Sequence, residues 1–229
     1  MAATHTVGST GDFATIQAAI LAATPGDTIE VAAGTYAENL DLSGKDLTII
    51  GTAGHRETIL APPTSGLAVV VYDEGEAGTL RGFGIEPASG ERGIYISSSS
   101  PTIEDCRIEG AGEREGLWGG AVSISDGTPT FASLELRDNA GARGGDFHIS
   151  GDSTVTISDS VFSGSNAQYG GSIYIDGSSI TLTNVQSNSA NARNAGGFAY
   201  LNDAILTATD LQITDPTGET TNGVGIFTS

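Results

Sequence analysis

His148, Tyr174 and Tyr200 recur at 26-residue steps, each inside a short alternating stretch that follows a glycine: Asp146-Phe147-His148-Ile149, Ser172-Ile173-Tyr174-Ile175 and Phe198-Ala199-Tyr200-Leu201. Tyr95 and Ser123 hold the same position in two earlier stretches. Alternation predicts strands with one buried face, so these five side chains point outward, and the equal steps stack them. A row of rings suits pyranose faces or another protein's surface. Just before these strands stand Trp118, Arg143, Tyr169 and Arg193, which add ring faces and donors for hydroxyls or a carboxylate. The candidate ligand-binding residues are therefore Tyr95, His148, Tyr174, Tyr200, Trp118, Arg143, Tyr169 and Arg193. Aromatic neighbours in register also stabilise a sheet by ~0.2–1 kcal/mol per pair with no ligand at all.

Other chemistry is less well supplied. Cleaving a sugar chain hydrolytically takes two carboxyl groups, one to donate a proton and one to attack or to activate water. The chain has no adjacent aspartates, and no catalytic residue is assigned. His5, His55 and His148 are far apart, and a lone cysteine, Cys106, makes a zinc site a poor fit. No cofactor is expected. Asp126, Asp152, Asp176 and Asp203 recur in turns and would offer oxygen ligands of the kind calcium takes, although solvated turn carboxylates are the commoner outcome.

A net charge of −19 argues against nucleic acid or an anionic membrane as partner, since both need clustered cations. Cys106 lies in a strand-like stretch where a buried thiol is expected. No run of 18 apolar residues marks a membrane span, and the first residues lack the basic flank and apolar core of a signal peptide.

The elements that must position the ladder are set by a glycine repeat. Gly66, Gly93, Gly120, Gly145, Gly171, Gly197 and Gly223 follow one another at 27, 27, 25, 26, 26 and 26 residues. A fixed period of this size signals a repeat architecture in which each unit buries its apolar face on the next. Each later unit reads as three short strands and three turns, with a small polar column at Asp105, Ser133, Asp159, Asn184 and Asp210. Three residues on stand Ile108, Leu136, Phe162, Ser187 and Ile213. This suits a coil that returns to its start one strand spacing along, ~4.8 Å further on. Before the coils, residues 13–23 read as an amphipathic helix with Asp12 as N-cap, stopped by Pro25-Gly26.

Residues 27–229 resemble a right-handed parallel β-helix, the fold of pectate lyases, pectin methylesterases and many adhesins. Gly11-Asp12-Phe13-Ala14-Thr15-Ile16-Gln17, Gly34-Thr35-Tyr36-Ala37-Glu38 and Lys45-Asp46-Leu47-Thr48-Ile49-Ile50-Gly51 resemble the entry of pectin methylesterase-like β-helices. In those proteins the helix plugs the first coil. Past residue 51 the family's catalytic motifs are not found. The stretch Phe162-Ser163-Gly164-Ser165-Asn166 with Gly170-Gly171-Ser172-Ile173 is loosely similar to repeats of polymorphic outer-membrane proteins.

The expectation is an all-β, single-stranded right-handed parallel β-helix, a solenoid of about seven coils. Residues 1–26 form its N-terminal segment and capping α-helix, and 27–229 the β-helix. Nothing in 223–229 reads as a cap, so that end is expected to continue or to meet a partner. The expected function is a non-catalytic, extracellular or cell-surface module, adhesin-like or structural, binding a polysaccharide or a surface protein along the aromatic face. A polysaccharide lyase or hydrolase of the pectin lyase-like superfamily is the alternative. A filament subunit self-associating through its C-terminal coil is a third. The resemblance implies a glycan groove along the same face.

Overall fold

A computed structural model of the protein describes residues 2–62, 68–73, 77–112, 118–218 and 225–229. Gly66 and Gly223 lie outside them. Every named strand pairs in parallel, each with its counterpart one turn on. The strands make a fourteen-stranded, an eight-stranded and a four-stranded sheet that run along the molecule. The result is a right-handed parallel β-helix of about eight turns, one more than expected.

Each later turn has four corners, not three. One column of corners is Ser98, Asp126, Asp152, Gly177 and Asp203; a second is Gly82, Asp105, Ser133, Asp159, Asn184 and Asp210. A third runs through Gly110, Asp138, Gly164, Ser189 and Asp215, and a fourth through Gly119, Gly144, Gly170 and Gly196. All have positive φ, between 45° and 77°. Glycine takes this conformation without a Cβ penalty, and aspartate, asparagine and, more weakly, serine have short side chains that bond locally, which accounts for these residue types. The extra corner comes from a fourth, short strand that sequence inspection missed. It is Ala140–Arg143, then Asn166–Tyr169 and Asn191–Ala195.

Two expected columns change meaning as a result. The small polar column that starts at Asp105 is a corner, where Asn184 donates to Asp159 of the preceding turn at 2.8 Å. In the other acidic column the third member is Gly177, because Asp176 closes the preceding strand and accepts from Asn202 at 2.7 Å. No three His, Cys, Asp or Glu side chains converge as metal ligands among the described residues.

The core is a set of interior stacks. Ile103 lies on Phe131, Ile157 and Leu182, and Ile108 on Leu136, Phe162 and Ser187. Phe147 meets Phe131 edge-on at 5.2 Å and Phe162 at 5.7 Å. Cys106 is buried as expected, and burial pushes its thiol up to about 12. The last long strand, Ile205–Thr214, pairs on one side only among the described residues, and Ile205 is exposed.

The helix is shorter than expected, Ile16–Ala22, with Thr15 as its N-cap. Asp12 instead accepts from the backbone and hydroxyl of Thr6, at 3.1 and 2.8 Å. Ile16, Ala19 and Ile20 face the first turns, so the helix caps the solenoid. Its ends are held from outside: Glu38 accepts from the N–H groups of Ile16 and Gln17, and Lys45 Nζ donates to the carbonyls of Ile20, Leu21 and Ala23. A carboxylate at the N-terminus and an ammonium at the C-terminus both complement the helix dipole.

Candidate ligand-binding face

The glycine pairs bring the ladder together. The first glycine of each pair takes a corner with positive φ. The second has no room for a side chain: a Cβ on Gly145 would stand 2.5 Å from the carbonyl oxygen of Gly171 in the next turn. Glycine at both positions lets successive turns close to strand spacing, so the strands after them stay in register. Tyr95 pairs with Ser123, Ser123 with His148, His148 with Tyr174, Tyr174 with Tyr200 and Tyr200 with Phe227. The expected outward column is present, and Phe227 extends it.

From His148 onward the column is a stack of rings. His148 lies on Tyr174 at 5.6 Å with planes 7° apart, and Tyr174 on Tyr200 at 5.2 Å and 6°. Tyr95 faces Ser123, which has no ring, and so stands apart from the stack.

The corner residues lean across this column, each onto the ring one turn further on. Trp118 covers His148 at 5.3 Å, Arg143 lies over Tyr174 with its guanidinium carbon 5.0 Å from the ring centroid, and Tyr169 meets Tyr200 edge-on at 5.3 Å. Arg143 also lies 4.7 Å from the centre of the Trp118 ring. This lean buries much of what was expected to be open: His148 is 3% and Tyr174 6% exposed, while Trp118 is 49% exposed.

Arg193 does not join the corner column. Tyr169 pairs with Ala195, through a register shift in the strand Asn191–Ala195, and Ala195 is the fourth member. Arg193 is an exposed residue two positions earlier. Arg143, Tyr169, Tyr174 and Tyr200 line a recess of about 220 Å³.

Electrostatics sharpen the picture. Arg56, Arg81, Arg107 and Arg137 each pair with a glutamate on another face. Arg143 pairs with no carboxylate among the described residues, and neither does Arg92, whose Nε donates to the Trp118 carbonyl at 3.1 Å. A chain of net charge −19 thus holds two cationic groups beside its aromatic stack that form no ion pair among the described residues. Burial, with help from Arg143 and Arg92, lowers His148 to about 4, so its imidazole is neutral near pH 7. Arg92 was missed because it begins its own strand, outside the corner repeat.

Behind the strand sits a second missed group, Asp146. It is fully enclosed, accepting from Asn139 Nδ2 at 3.0 Å and from the Ser165 hydroxyl. Asn139 also holds the backbone of the neighbouring turn, accepting from Ala111 N–H and donating to the Ile108 carbonyl. Desolvation raises Asp146 to about 6. The legible signal was an acid where other repeats have Ala121, Ser172 and Phe198, and an amide where they have Ala111, Ser165 and Ala190.

The chain matches no protein-family profile and no curated protein sequence. It is similar in fold to solved pectin methylesterases. Pectin methylesterase PemA from Erwinia chrysanthemi superposes with a TM-score of 0.59 at 12% identity, over 93% of this chain and 80% of that one. The enzyme from carrot superposes with 0.53 at 15%, over 98% and 88%. A pectin methylesterase in complex with a hexasaccharide gives 0.54 at 11%, over 91% and 80%. These likenesses define the pectin lyase-like β-helix fold, and at such identities the fold alone.

Proposed function

We propose that this protein is an extracellular or cell-surface β-helix that binds an acidic polysaccharide across its aromatic face. The recess bounded by Arg143, Tyr169, Tyr174 and Tyr200 carries the reading. Ring faces provide stacking for pyranoses, and an arginine with no acidic partner among the described residues, held against Trp118 and Tyr174, provides a bidentate site for a sugar carboxylate. The residues lining the recess include no carboxyl group, and the buried Asp146 behind the strand is enclosed by Asn139 and Ser165. The arrangement supports holding a sugar chain better than cleaving it. Pectin, the substrate named by the structural neighbours, is the first polysaccharide to try.

Affinity electrophoresis in polygalacturonate and in a neutral glucan tests the reading. Retardation by the acidic polymer alone, lost in Arg143→Ala, supports it; equal mobility in both gels overturns it. Methanol release from methyl-esterified pectin, assayed in parallel, would instead establish the esterase reading that the fold similarity suggests.

A further inference from the structure

A second regular surface lies on the fourteen-stranded sheet, away from the aromatic stack. One register position holds a threonine in every turn, running from Thr4 through Thr28, Thr48, Thr79 and Thr102 to Thr207 without a break. Thr130, Thr156, Thr181 and Thr207, its last four members, are exposed. Nine threonines stand in this single column.

In the C-terminal turns the column widens into a two-dimensional array. Two residues before it, Thr154 pairs with Ser179; two residues after it, Ser158 pairs with Thr183 and Thr183 with Thr209. The hydroxyls are tied to one another: Ser179 Oγ donates to Thr154 Oγ1 at 3.2 Å, and the Ser100 and Thr128 hydroxyls are 2.9 Å apart. Across the strands the array repeats every ~4.8 Å, and along them at two-residue steps every ~6.7 Å. Over the three strands Thr154–Ser163, Ser179–Asn188 and Ile205–Thr214, none of its nine positions is charged, in a chain of net charge −19.

A β-sheet needs β-branched residues but does not need the same hydroxyl in every turn. An uncharged array of hydroxyls and methyls at fixed spacing in two directions, with Ile205 the one position of the nine that lacks a hydroxyl, fits a partner that is itself periodic. We propose that this face binds the surface of ice. Threonine hydroxyls would take lattice positions of water oxygens, whose spacings on ice faces lie close to those of the array, and the methyls would order the water between them. A crystalline polysaccharide fits less well, because the ring faces that sugars stack on belong to a different face of the molecule. The parallel in-register strands hold the array rigid, which reduces the ordering needed on contact.

The experiment is partition of the full chain into slowly growing ice, with inhibition of ice recrystallisation as a second readout. Thr156→Tyr and Thr181→Lys place a bulky or charged group at the centre of the array; both sites are exposed, and circular dichroism and thermal melting check the fold. Gln186→Tyr, on the next leg of the same strand, is the control. The expected result is enrichment of the wild-type protein in ice, at least a tenfold drop in both array variants, and a change below twofold in the control. Exclusion of the wild-type protein from ice overturns the proposal. So does ice activity that survives in both folded array variants, or retention on microcrystalline cellulose with no effect on ice.

Discussion

Asp146 and His148 stand two residues apart, on either side of Phe147, and burial moves their proton affinities in opposite directions. Asp146 rises from 3.8 to about 6 while His148 falls from 6.5 to about 4. Each is most stable in its neutral form, so the folded state holds a neutral acid and a neutral base on the two sides of one strand over much of the acidic range.

Their contributions to stability oppose each other. For Asp146 the folded state binds more protons than the unfolded chain between pH 3.8 and about 6, so its contribution is full below 3.8 and lost as pH rises through 6. For His148 the unfolded chain binds more protons between about 4 and 6.5, so its contribution is full above 6.5 and lost as pH falls. Each shift of about two units corresponds to about 3 kcal/mol at most. Asp146→Asn is expected to gain stability relative to wild type above pH 6, and His148→Gln to gain below pH 5. Urea melts at pH 4, 5, 6 and 7 check both; parallel curves for all three proteins would refute the opposition.

Removing the Arg143 guanidinium leaves the Tyr174–Tyr200 stack in place but takes away the charge in the recess. Arg143→Ala should weaken acidic-glycan binding roughly 10- to 100-fold, a loss of about 1.5–3 kcal/mol for a charge-assisted contact. Tyr174→Ala with Tyr200→Ala should weaken acidic and neutral sugars alike. Calorimetric titration with oligogalacturonates separates the two patterns.

Corner positions should follow φ rather than residue chemistry. Asp152 has φ 53° in the column where the next turn carries Gly177. Asp152→Gly is expected to change stability by less than about 0.5 kcal/mol, whereas Asp152→Val should cost about 1–2 kcal/mol, the penalty of a Cβ in the left-handed region. Chemical denaturation of the two variants tells them apart.

Phe147 bridges the interior stacks at Phe131 and Phe162. Phe147→Ala should cost about 3–5 kcal/mol, because a turn pinned by its neighbours cannot collapse into the cavity. Phe147→Leu should cost clearly less. A drop in melting temperature of similar size for both would argue against tight packing there.

Much of the fold was legible because a solenoid repeats its constraints. The glycine at Gly120, Gly145, Gly171 and Gly197 and the alternation after it specified the strands and their outward column. The corner at Gly110, Asp138, Gly164, Ser189 and Asp215 escaped notice because glycine, aspartate and serine alternate there, so it shows no single letter. The helix start moved from Asp12 to Thr15 because Thr6, a neighbour only in space, engages Asp12. Arg193 was included as a polar neighbour of the last strand, but the position two residues before the second glycine, held by Trp118, Arg143 and Tyr169 in earlier turns, is Ala195, which pairs with Tyr169.

The sequence by itself determined the period, the parallel coil and the stacking of His148, Tyr174 and Tyr200, because these depend on local spacing. Only the tertiary structure decided which groups converge. Asn139 meets Asp146 around a corner, and Arg143 leans onto a ring one turn away. The threonine column was invisible for the same reason. Its members are separated by 24, 20, 31, 23, 28, 26, 25 and 26 residues, since the early turns carry loops of unequal length. Strand pairing aligns residues by hydrogen-bond register, whatever length of chain lies between them.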